Sequence, residues 1–134
     1  MKKVKLLNLL MKKAKVEKSK ILSELQTLGD EKDKTGALSS EIFEITNQKA
    51  NQSNTQSVYA YQVDRQLTQK LMQQKEVLDN RTEFLQHQMD AIRQKVTHIQ
   101  AREDMLKKKK ISEEKRSFDE RELRISELNM TKKV

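Results

Sequence analysis

The amino-acid sequence predicts an all-α fold: two long helices in an antiparallel coiled-coil hairpin with an overhanging C-terminal helix. The first observation behind this is a scarcity of breakers. Among 134 residues there is no proline, and the only glycines are Gly29 and Gly36, so little interrupts a helical backbone. The second is composition. Charged residues (36%) outnumber hydrophobic ones (34%), which is too little apolar material for a rounded core and is the profile of long exposed helices. The third separates such helices from disorder, which the same polarity would otherwise permit. From Leu71 an aliphatic residue returns at every seventh position, at Leu78, Leu85, Ile92, Ile99 and Leu106. A strict seven-residue repeat drifts around a straight helix unless two helices wrap about each other, so it predicts a left-handed supercoil.

One hairpin is expected over residues 1–134, with helix one at about 4–46. Its seam steps by three and four through Leu7, Leu10, Ala14, Glu17, Ile21, Glu24, Leu28, Glu31, Thr35, Leu38, Ile42 and Ile45, eight of them apolar. The bend is expected at about 47–57, NQKANQSNTQS, where apolar periodicity stops and Asn, Gln and Ser compete locally for backbone hydrogen bonds. Ser57 or Thr55 is placed to cap the helix that follows. A rival bend, LGDEKDKTG at 28–36, holds both glycines, but the spacing passes through Leu28, Thr35 and Leu38 without a change of phase.

Helix two is expected over about 58–128. Its second seam position is less apolar: Leu67, Met89 and Val96 fit, whereas Gln74, Arg81 and Arg102 or Glu103 intrude. A bend centred near residue 53 would set residue i opposite about residue 106 minus i, with Leu7 near Ile99 and Leu28 near Leu78. Everything beyond about residue 103 would then lack a partner within the chain. There the repeat resumes in a new phase at Ile111, Phe118 and Ile125, with Leu128 beside it. Apolar residues on an overhanging helix predict docking on another surface.

The formal charge of +8 is uneven. Residues 1–20 carry eight lysines against Glu17, residues 21–106 carry ten basic and thirteen acidic groups, and residues 107–134 sum to +4. Basic ends attract anionic partners in a salt-dependent way. The lysines flanking Leu6–Met11 cut the apolar run too short for a signal peptide, and no run reaches the length of a membrane span. With no cysteine, disulfides and thiolate metal sites are excluded, and a reducing cytosol is expected.

Lys107, Lys108, Lys109 and Lys110 read either as a solvated face or as a contact for an acidic partner, and without interleaved aromatics no nucleic-acid binding is expected. The stretch Lys2–Val16 fits either the first turns of the seam or a basic amphipathic helix at a membrane surface or partner. Tyr59 and Tyr61 open helix two as interface anchors or as the end of the seam. His87 and His98 are eleven residues apart, too distant to share a metal within one helix. No glycine-rich phosphate loop, nucleophile elbow or metal-ligand cluster is present, so no cofactor, no metal and no enzymatic activity are expected.

These features together resemble the FliJ family of flagellar export proteins and its YscO-type relatives in type III secretion systems. The resemblance rests on the basic amphipathic start, the end of helix one near Ile42 and Ile45, the polar bend, YAYQVDRQLTQKL after it, and the charged stretch EEKRSFDEREL. It implies a non-enzymatic, stalk-like coiled coil in the cytoplasm, in peripheral contact with the inner membrane, that couples an export ATPase to the export gate and handles export chaperones. It also implies gate contact through Tyr61 and the neighbouring Ile42, Ile45, Leu67 and Leu71. Lys107–Lys110 and Phe118, Ile125 and Leu128 would by the same resemblance reach the ATPase ring. Asp64 departs from the pattern, where an aromatic is common. The alternative reading is a generic dimerising coiled coil that scaffolds or spaces other proteins. The first predicts a monomeric hairpin, the second an oligomer.

Overall fold

A computed structural model describes residues 2–51 and 57–132. They form two helices, α1 (Lys2–Asn51) and α2 (Val58–Lys132). The expected bend is corrected at its start: residues 47–51 continue α1. Residues 52–56, with Thr55 as a candidate cap, lie outside the described residues. Ser57 begins α2 as its cap: its carbonyl accepts from the Tyr61 amide at 3.0 Å and its hydroxyl oxygen from the Ala60 amide at 3.2 Å, satisfying a donor that the first helical turn would leave open. The rival bend does not form. Gly29 and Gly36 both lie inside α1, and no described residue has positive φ.

Contacts divide the chain into two compact units, one of Met1–Leu22 with Gln94–Val134, the other of Ser23–Arg93. In each, a stretch of α1 packs on a stretch of α2, as a helical hairpin requires. In the second unit the sheltered positions of α1 include Leu25, Leu28, Lys32, Thr35, Ser39, Ile42, Thr46 and Lys49. Those of α2 include Thr68, Leu71, Lys75, Leu78, Thr82, Leu85, Met89 and Ile92. Both rows step by three and four, the spacing compatible with a coiled coil. Leu85 is the most buried large side chain, at 1% exposure. A Cβ added to Gly29 would lie 3.7 Å from Met89 Cε.

The first unit repeats the spacing. Val4, Leu7, Met11, Ala14, Lys18 and Ile21 of α1 are sheltered, as are Val96, Ile99, Glu103, Leu106, Lys110, Glu113 and Ser117 of α2. Ala14, Ile99, Leu106 and Glu103 are the buried ones. Every aliphatic in the expected row from Leu71 to Leu106 therefore lies on a sheltered face. The second position of α1 falls one residue later than expected, at Met11, Lys18, Leu25, Lys32, Ser39 and Thr46, leaving Leu10, Leu38 and Ile45 exposed.

The expected pairing is also corrected. In the second unit Lys32 meets Gln86 and Ser39 meets Asp79; in the first, Lys18 meets Gln100. Each partner lies about a dozen positions further along α2 than the expected pairing put it. Two effects push this way: α1 runs on to Asn51, and side chains on both helices lean toward their own N-termini, so an α1 residue reaches an α2 residue further along. Consequently α2 is accompanied well beyond residue 103, since Lys2, Lys3 and Val4 share a shallow groove with Glu113, Arg116, Ser117 and Glu120. Lys107–Lys110 thus flank α1 and do not lie beyond it.

Candidate partner-binding surfaces

The faces that the helices turn toward each other are unusually polar, and the two units satisfy that polarity differently. In the second unit Ser39, itself buried, donates to Asp79 Oδ1 at 2.5 Å, while Lys75 reaches Asp79 Oδ2 at 2.8 Å. These two bonds, that of Lys75 first, hold the Asp79 carboxyl below its ordinary pKa, because each stabilises the charged form. Lys75 also stands over the Phe43 ring, 5.9 Å from its centroid. Lys32 donates to Gln86, which in turn donates to Asp90 at 2.9 Å. At the edge Arg81 lies 3.6 Å from Glu31.

In the first unit Lys18 donates to Gln100 Oε1 and stands 3.8 Å from Glu103 Oε2. Glu103 is 4% exposed, and its Oε1 has no hydrogen-bond partner among the described residues. A buried carboxylate with one oxygen unserved is costly. Arg102 reaches Glu17 at 3.9 Å on the exposed side. Sequence reading missed this polar layer, noting Glu103 only as an intruder and placing Glu17 and Glu31 where Lys18 and Lys32 stand. The signal was available in the seven-residue spacing of Lys18, Leu25, Lys32, Ser39 and Thr46.

The residues named as partner-binding fall into three groups. Around the start of α2, Ile42 and Leu71 are half-buried on the packed faces, whereas Ile45, Tyr61 and Leu67 are exposed. The five do not share one face of their helices: only the last three are presented to solvent. Tyr59 is exposed as well, so neither tyrosine closes the packed face. Lys107, Lys108 and Lys109 are exposed, and Lys110 is half-buried, 3.9 Å from Glu114.

The third group is Phe118, Ile125 and Leu128, which with Ile111 are 58–65% exposed. Here the packed phase of α2 does not end at Leu106, as the sequence had suggested, but continues in polar residues, Lys110, Glu113 and Ser117. Ile111 and Phe118 follow Lys110 and Ser117 by one residue and lie off that face. The helix carrying them is supported on its own surface by Arg116 with Glu120, 3.7 Å apart. Residues 118–131 are exposed throughout.

Among the described residues no helix is long and apolar enough to cross a membrane, and no group of three His, Asp or Glu side chains is arranged to hold a metal ion. Comparison with protein families, curated proteins and solved structures gives no match to this chain.

Proposed function

We propose that this chain is a non-enzymatic, antiparallel coiled-coil component of a flagellar or type III protein export apparatus. It couples an export ATPase to the membrane gate and handles export chaperones from the cytoplasmic side. The observation that carries the reading is the exposure of Ile111, Phe118, Ile125 and Leu128 on the C-terminal part of α2. An apolar stripe kept apart from the face that packs on α1 serves a protein partner, because nothing within its own helix pair shelters it. The resemblance in YAYQVDRQLTQKL and EEKRSFDEREL names the kind of partner, and the overhang of α2 past the start of α1 supplies the free end that grips it. Exposed Ile45, Tyr61 and Leu67 would meet the gate.

Co-purification with the export ATPase of the same cell, with faster ATP hydrolysis, is the expected result. Phe118→Ser with Ile125→Ser should abolish that stimulation while leaving the helix content unchanged. Failure of the unaltered chain to bind any export ATPase or gate from that cell would overturn the proposal. The scaffold reading has one observation in its favour, the seven-residue spacing of Ile111, Phe118 and Ile125, which suits a second copy as well as a partner. Light scattering separates them: the export reading expects a monomer at micromolar concentration.

A further inference from the structure

The two basic stretches of the sequence, about ninety residues apart, meet in the first unit. Lys15 and Lys18 line one groove with Lys107, Gln100 and Glu103, and Lys13 lines another with Arg102, Leu10 and Leu106. Taken together, residues 2–20 and 102–110 hold thirteen basic side chains against Glu17, Glu103 and Asp104, a net +10. This exceeds the +8 of the whole chain, so all other residues sum to −2. Among the described residues, only Lys18, Arg102 and Lys110 of this belt have a carboxylate within ion-pairing distance.

The belt is not merely cationic. On α1 the packed side is Val4, Leu7, Met11 and Ala14, yet Leu6 and Leu9, at 58% and 63% exposure, and Leu10 and Val16 face outward among the lysines. A nucleic acid would use the charge and leave these leucines in water. Twelve of the thirteen cations are lysine, which offers point charges and no fork for bidentate recognition. No Phe, Tyr or Trp lies in either stretch to stack on a base. Outward leucines between long, flexible cationic side chains suit an interface whose surface is anionic and whose interior is hydrocarbon.

We infer that this belt binds the surface of an anionic phospholipid bilayer, with Leu6, Leu9 and Leu10 entering the headgroup boundary and the surrounding lysines holding phosphate. The inference goes beyond the proposed export role and depends only on charge and exposure in the first unit. Lipid headgroup attraction scales with the number of cations and falls with salt.

The test is sedimentation of the full chain with vesicles of phosphatidylcholine alone or mixed with phosphatidylglycerol, at low and high salt. Binding should appear on the mixed vesicles only and weaken with salt. Lys12→Gln with Lys13→Gln, and separately Lys107→Gln with Lys108→Gln, should each weaken it, by about fivefold per lysine. Leu6→Gln with Leu9→Gln should weaken vesicle binding but leave binding to polyglutamate and to short duplex DNA unchanged. Circular dichroism of each variant confirms that the helices persist. No binding to the mixed vesicles by the helical protein overturns the inference. So does equal or tighter binding to DNA or polyglutamate together with indifference to the leucine substitutions, since that marks a general polyanion site.

Discussion

The two units use the same spacing of sheltered positions but solve the problem of a polar seam in opposite ways. In the second unit the polar side chains at the middle of the packed face find partners: Ser39 and Lys75 share Asp79, and Lys32 meets Gln86. In the first, Lys18 has two acceptors, but Glu103 is buried with one oxygen unserved. A satisfied polar pair fixes which residues face each other at little cost, whereas an incompletely served charge lowers stability where it sits. The second unit is thus the one whose pairing is pinned, and the first is the one that a partner or a substitution can improve.

The largest test of this contrast is Leu85→Ala, which removes the most buried large side chain of the second unit and should cost about 2–5 kcal/mol. A guanidinium titration measures it, and a loss under about 1 kcal/mol would mean that packing there is too loose to dominate. In the first unit the double substitution Lys18→Leu with Glu103→Leu should raise stability, by about 1–4 kcal/mol, because it removes the desolvated charge and adds apolar surface at two seam positions. A lower melting temperature for this variant would show that the ion pair contributes more than its burial costs. Smaller is Ser57→Ala, which should cost about 1 kcal/mol and increase amide exchange in the first turn of α2 only. Exchange spreading along α2 would contradict a local cap.

The smallest effect is in pH. Asp79 has its pKa lowered in the folded chain by Lys75 and Ser39, so its charged form is favoured by folding. That contribution is fully present above the unfolded carboxylate value of about 4 and is lost as pH falls through the lower folded value. Asp79→Asn should flatten the stability curve in that acid range and lower stability slightly near neutrality, where the contribution is fully present, without changing the slope there. Because the group is exposed, the change will be small. An altered slope above pH 5 or so would assign the effect to another group.

Several features were legible in the sequence for a local reason. The absence of proline allowed long helices, and the row from Leu71 to Leu106 marked the sheltered face of α2 because a helix repeats its face whatever it packs against. Ser57 was recognisable as a cap because capping needs only its own chain a few residues on. The outward position of Phe118 and Ile125 was legible too, since a change of phase along one helix is a one-dimensional fact. The proposed docking partner was not, because it would lie outside the chain.

What only the tertiary structure decided is which residues meet. Steps of three and four from Leu7 lead equally to Leu10 or Met11, and the apolar count favoured the first; packing chose the row of Met11, Lys18 and Lys32, in which Lys18 meets Gln100 and Glu103 and Lys32 meets Gln86. The same applies to charge. The sequence determined that both ends are basic, but their convergence into one belt depends on how far α2 slides past α1. That offset is set by contacts between residues far apart in the chain, and no periodicity within either helix encodes it.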